Sequence, residues 1–224
     1  MRTLNTEEIV PDIFYIFVNK ANNSARQQYE TSGVFYSTGY ASIFYPDRRF
    51  FNAYSEGTLD FIDSANNPHL VPQISPFCSG VTGTAHYPLE HAFEVYRREH
   101  YRYFPSRLSA VYAFGDINTC ENVEALYHWN IKEVRQFELL LNIEGQIISE
   151  QFPSQRITKH NMEIISFLRG NGGVNYPHLN DAMEMYWSGC GEIELPDIEG
   201  NIRHIDVIHE YLVDGMVKRM NDNN

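Results

Sequence analysis

Cysteine is scarce in this sequence: three in 224 residues, Cys78, Cys120 and Cys190, with no CxxC pair. That spacing argues against a disulfide framework or a paired-cysteine zinc site, and it agrees with a reducing compartment. Basic residues are also few, 17 Lys plus Arg against 29 Asp plus Glu, for a formal net charge of -12. Such a charge opposes non-specific attraction to nucleic acid or to an anionic membrane surface. No apolar run approaches the roughly 18 residues of a membrane span. The start, MRTLNTEEIVPDIF, is acidic and has no apolar stretch leading to a small-residue cleavage site. These features predict a soluble, cytoplasmic protein. None of the nine histidines falls in an HExxH motif, no GxSxG elbow occurs, and the GNGG at 170–173 lacks the GK[ST] of a phosphate loop. We therefore expect no metal and no serine-hydrolase triad.

The composition itself, 43% hydrophobic and 21% charged, is that of a folded chain, and its length fits one domain spanning 1–224. Tyrosine and phenylalanine are abundant, at 15 and 14, enough to line a groove or an interface as well as a core.

The pattern is densest at 105–115, PSRLSAVYAFG. From Leu108 onward large and small residues alternate with a period of two, which predicts a strand. Pro105 cannot lie inside a central strand, so Ser106, Arg107 and Ser109 are placed at its mouth, where two hydroxyls and a guanidinium can meet a phosphate or ribose. The alternative is a surface turn followed by a core strand.

Around this corner the chain reads as a buried strand at 13–18, a polar helical stretch at 22–30, and a glycine-interrupted aromatic stretch at 33–51. The last offers Tyr36, Tyr40 and Tyr45 for stacking. Residues 56–84, rich in Pro, Asn, Gly and Ser, predict a loop-rich insertion. Pro88 suits a helix start, and Leu89, Ala92, Phe93 and Tyr96 form an apolar stripe opposite Glu94, Arg97, Arg98 and Glu99. A helix over 121–129 capped by Asn118 or Thr119, a strand over 134–143, a helix capped by Thr158 and ending at Gly170, and a helix over 179–187 follow. A last strand covers 202–212, and 213–224 is expected to be a frayed tail.

Glu192 and Glu194 are one residue apart, so on a strand both carboxylates face the same way. Close like charges raise one pKa, which suits a general base or a partner for a ribose hydroxyl; a solvated edge strand is the alternative. Arg97, Arg98, Arg102 and Arg107, interleaved with tyrosines, form the one basic cluster. Arg107 is its best candidate for binding an anion, while Arg97 and Arg98 fit an exposed helix face.

In chain order, the aromatic first strand, RREHYRYFPSRLSAVYAFGD at 97–116 and MEMYWSGCGEIEL at 183–195 resemble the ADP-ribosyltransferase-like superfamily. The resemblance is to its small bacterial and phage branch with an FPSRLS…YWSG…E pattern, and it covers roughly 88–212. It implies an α+β fold in which split β-sheets with flanking helices form a cleft for NAD. Tyr15, Ser106 and Ser109 then stand at cofactor-binding positions, beside Arg107, Tyr36 and Tyr40, and Glu194 stands as the acid with Glu192 orienting a protein or nucleic-acid acceptor. The first strand carries Tyr15 where the family has His or Arg. That departure leaves a second expectation, a non-catalytic binding protein on the same fold, for example a phage factor that binds a host defence enzyme.

Overall fold

The computed structural model describes residues 10–18, 23–41, 49, 52, 53, 56–58, 86–140, 142, 143, 146, 147 and 155–220. In chain order the first strands and helices are β1 (Phe14–Phe17), α1 (Asn23–Thr31), β2 (Val34–Tyr36), α2 (Thr38–Ala41), α3 (Tyr87–His100), β3 (Val111–Ala113) and α4 (Ile117–Tyr127). They are followed by β4 (Val134–Leu139), β5 (Asn142–Ile143), β6 (Gln146–Ile147), β7 (Arg156–Asn161), α5 (Glu163–Gly170) and α6 (Leu179–Trp187). The chain closes with β8 (Ile193–Pro196), β9 (Ile202–Ile205), β10 (His209–Asp214) and β11 (Met216–Arg219). The class is mixed α+β, with antiparallel sheets. A four-stranded sheet runs β1-β4-β11-β2 and a three-stranded sheet runs β3-β10-β7; β5-β6 and β8-β9 are two-stranded ribbons.

Two joins between the larger sheets involve the backbone of their own strands or the turn between them. Between β10 and β11 the chain passes from one sheet to the other through Gly215, where an added Cβ would stand 2.1 Å from Gln155 Oε1. That oxygen accepts a bond from the Met216 amide at 2.9 Å, while Gln155 Nε2 donates to the Leu140 carbonyl at 2.8 Å. Only glycine leaves Gln155 room to bridge the two sheets. Gly215→Ala is expected to cost about 1–3 kcal/mol by displacing it, read as a lowered urea midpoint. The second join is an antiparallel bridge from Tyr15 to Phe114, with both backbone bonds at 2.8 Å.

Alternation then sorts the side chains. Val111, Ala113 and Val213 meet Phe14, Ile16, Phe35, Phe137 and Val217 in a core between the sheets. The opposite face of the β3-β10-β7 sheet carries Ala110 and Leu212 against Phe93 of α3, Leu168 of α5, Tyr186 and Trp187 of α6, and Ile193 and Leu195 of β8. A third cluster, around Phe114, Cys120, Val123 and Ile208, holds α4.

Several expectations are corrected. The residues 213–224, expected to fray, contain the end of β10 and all of β11, which lies between β4 and β2. Thr158 lies within β7, and the helix begins later, at Glu163. The strand over 202–212 is two strands. Between them the Asn161 side chain donates to the Asp206 carbonyl at 3.0 Å and accepts from the Ile208 amide at 3.2 Å, pulling the chain off the ribbon. Asp116 caps α4, accepting from the Thr119 amide at 2.7 Å; that helix starts four residues before the expected one. The corner at 107–109 is a turn, and the strand itself is only Val111–Ala113. The insertion expected at 56–84 lies, apart from 56–58, outside the described residues, as does Tyr45.

Candidate functional site

Helix α3 sets one wall of a buried polar layer. Beside its apolar stripe run Glu90, Glu94 and Arg97, spaced i, i+4 and i+7 and therefore on one face; all three are buried. Arg97 donates to Glu94 through Nε (2.9 Å) and Nη2 (2.7 Å), and through Nη1 to the carbonyls of Arg102 (3.0 Å) and Phe104 (2.9 Å). Arg97, expected on an exposed helix face, is instead buried and paired with Glu94 inside the protein. Ser106 Oγ donates to the same Glu94 carboxylate at 2.7 Å and accepts from the Leu108 amide at 3.1 Å, which fixes the turn that follows.

That turn aims Arg107 between two carboxylates. Its Nε donates to Glu90 Oε2 at 2.8 Å, and its Nη1 donates to Glu210 Oε1 and to the Tyr186 hydroxyl. Tyr186 in turn donates to Glu210 at 2.8 Å, and Arg169 reaches Glu90 at 3.2 Å. Burial pushes the Glu90 carboxyl up, but Arg107 and Arg169 outweigh it and hold the group below its usual value. Burial, with Glu210 beside it, pushes the Tyr186 phenol well above the usual range. His160 stacks on the Tyr186 ring at 4.5 Å. Its Nδ1 is 2.8 Å from the Tyr186 carbonyl, which can only accept, so Nδ1 carries the proton and Nε2 accepts from Thr158 Oγ1 at 2.7 Å. Burial, reinforced by the Arg107 charge, lowers the His160 pKa to about 3.

A smaller, buried seam runs from the same corner toward the sheet change. The Thr38 amide donates to the Ser109 carbonyl at 3.0 Å and the Ser37 amide to the Gly215 carbonyl at 2.9 Å. Ser37 Oγ donates to Asp214 at 2.5 Å and accepts from the Tyr40 amide at 3.1 Å. Burial, then the Asp214 charge, raises the Tyr40 phenol. The Ser109 hydroxyl is fully buried here and has no hydrogen-bond partner among the described residues.

The structure therefore brings together Ser106, Arg107, Ser109 and Tyr40, with Tyr36 half-exposed at the end of β2. It does not gather the other expected residues there. Tyr15 packs against the α4 cluster, its hydroxyl meeting Gln136 Nε2 at 3.4 Å. Glu192 and Glu194 are exposed; Glu194 lies on the β8-β9 ribbon opposite His204, and its neighbours Ile193 and Leu195 are the buried ones. Arg107, expected to meet an anion, is bracketed by internal carboxylates and acts as a clamp between α3, α6 and β10. The residues that sequence reasoning missed are Ser37, Glu90, His160, Tyr186, Glu210 and Asp214. Glu90, Glu94 and Arg97 left a legible signal in their helical spacing, whereas Glu210 and Asp214 left only the even spacing of one strand face.

Chemically the seam holds two hydroxyls, a phenol and a carboxylate; Ser37 and Asp214 are bonded to each other, and the Ser109 hydroxyl has no partner among the described residues. Among the described residues no group of three or more His, Cys, Asp and Glu could hold a metal ion, and no helix is long and apolar enough to cross a membrane. No family model matches the chain, and no curated protein matches it either.

Proposed function

We propose that the chain is an ADP-ribosyltransferase-like protein that binds NAD at the seam between its two sheets and transfers ADP-ribose to a macromolecular acceptor, a protein or a nucleic acid. One observation carries this: the buried Ser109 hydroxyl has no hydrogen-bond partner among the described residues, on a residue whose carbonyl accepts from the Thr38 amide next to the Ser37–Asp214 pair. Leaving a buried hydroxyl unbonded costs about 1–3 kcal/mol, a cost that a ligand hydroxyl would offset. Loss of nicotinamide builds positive charge on the ribose, which a fixed carboxylate stabilises. Two acids compete for that part, Glu194 by the resemblance and Asp214 by its place at the seam.

The binding claim is tested by thermal shift. Saturating NAD, at about a hundred times its dissociation constant, should raise the midpoint by about 5 °C or more; no shift with NAD or ADP-ribose would refute it. Ser109→Ala separates ligand binding from folding. Without ligand this variant should gain about 2–4 °C, because an unpaired polar group is removed, while its NAD shift shrinks. A lower midpoint without ligand would mean that the hydroxyl serves the fold. Nicotinamide release, measured for Glu194→Gln and Asp214→Asn, assigns the acid.

A second reading, a non-catalytic binding protein on the same fold, is favoured by the exposure of Glu192 and Glu194 away from the seam. It requires that NAD binds without nicotinamide release, or does not bind, and that a single stoichiometric partner is captured equally by wild type and Glu194→Gln.

A further inference from the structure

We propose that Asn171 is a self-modification site: attack of the Gly172 amide on the Asn171 side chain turns it into aspartate or isoaspartate and releases the β8-β9 ribbon from the end of α5. The GNGG at 170–173 holds the one asparagine in the chain that is followed by glycine. Neither residue belongs to the seam, so the inference does not rest on NAD binding. The attacking group is accessible. Gly172 is exposed at φ +95°, and its amide donates to nothing among the described residues. An added Cβ on Gly170 or Gly173 would meet no atom within 4 Å, so water reaches the loop.

The group under attack is held by the fold. Asn171 Nδ2 donates to the Phe167 carbonyl at 2.9 Å, and its own amide donates to the Leu168 carbonyl at 3.1 Å. These satisfy two carbonyls at the end of α5 that have no partner within the helix. Oδ1 accepts from the Ile198 amide at 3.3 Å, tying the turn between β8 and β9 to the same point. Turning the side chain toward Gly172 breaks both of its bonds, so opening of this latch sets the rate. The reaction consumes only water. The Gly172 nitrogen loses its proton and bonds to Asn171 Cγ, the Cγ–Nδ2 bond breaks, and ammonia leaves with that proton. Water then opens the resulting succinimide at either carbonyl, giving aspartate or isoaspartate. The product does not re-form the latch: a carboxylate has no N–H for Phe167, and its charge faces the negative end of α5.

The test keeps the full chain at neutral pH in isotope-labelled water and follows oxygen uptake at each asparagine by peptide mapping and mass spectrometry. Asn171 should react faster than any other asparagine, yet about tenfold more slowly than in a synthetic peptide of residues 169–175, which lacks the latch. Ile198→Pro removes the N–H donated to Asn171. It does so at the second position of a turn closed by the Gly200 amide and the Asp197 carbonyl at 2.9 Å, where proline is favoured. This variant should react about threefold faster than wild type or more. Asn171→Asp, which is the product, should speed hydrogen exchange at the Ile198 amide about tenfold. If Asn171 stays intact while the peptide converts fully, if Ile198→Pro reacts at the wild-type rate, or if Asn171→Asp leaves exchange at Ile198 unchanged, the proposal fails.

Discussion

Replacing Arg107 with Met is expected to cost about 3–5 kcal/mol of stability, because it leaves buried carboxylates without their counter-charge. Glu210 loses its arginine altogether, and Glu90 keeps only Arg169, which is partly exposed. The Tyr186 hydroxyl loses the donor that balances its own bond to Glu210. The penalty therefore comes from what remains behind. It follows that Arg107→Met combined with Glu90→Gln and Glu210→Gln should regain much of the loss, since neutral amides do not need a cation. Urea unfolding of the wild type, the single variant and the triple variant reads this directly. Glu194→Gln, on the exposed ribbon, should change stability by no more than about 0.5 kcal/mol. If Arg107→Met is as mild as Glu194→Gln, the bracketed guanidinium is not the clamp between α3, α6 and β10.

The second large effect is on acid stability. His160 is neutral in the fold with a pKa of about 3, against an ordinary value of 6.5. Above 6.5 the imidazole is neutral in both the folded and the unfolded chain, and it contributes no pH dependence. As pH falls below 6.5 the unfolded chain takes up a proton that the folded chain refuses, so stability declines with falling pH until the folded group also titrates near 3. The expected loss is about 2 kcal/mol by pH 5 and about 3 kcal/mol by pH 4. Glu90, whose carboxyl is held below its usual value of 4.5, adds to the decline only under more acidic conditions. Glu163, whose carboxyl burial raises above its usual value, acts with the opposite sign in the same interval, so the histidine is read from the difference between wild type and His160→Gln. His160→Gln should be less stable than wild type at neutral pH, having lost its stacking on Tyr186, yet lose the steep decline between pH 6.5 and 4.5. An unchanged slope would mean that another group controls acid unfolding.

The elements legible in the sequence are those whose periodicity is local. The stripe of Leu89, Phe93 and Tyr96 marks α3, the spacing of Ala182, Met183 and Tyr186 marks α6, and the run at 13–18 marks β1. The tail is not legible, because MVKR looks no different from any short, half-polar end until β4 and β2 pair with it on either side. Thr158 has the chemistry of a helix cap, but pairing with Leu212 draws it into a strand. The candidate site divides the same way. Ser109 and Tyr40 are conspicuous beside proline, glycine and aromatic neighbours. Glu210, the partner of Arg107, is 103 residues away, and nothing in the spacing of either residue points to the other.

By itself the sequence determined an acidic chain of helices and strands without metal-binding or hydrolase motifs, organised on a corner where Pro105 excludes a strand and Ser106, Arg107 and Ser109 follow. These are consequences of composition and short-range sterics. Only the tertiary structure decided what that corner faces. The change of sheet at Gly215 aligns Glu210, Leu212 and Asp214 on one face of β10, and the packing of α3 and α6 over that face places Arg107 against Glu90 and Glu210 and buries the Ser109 hydroxyl without a hydrogen-bond partner among the described residues. Those relations depend on strand register and layer packing between distant segments, so no local pattern could carry them.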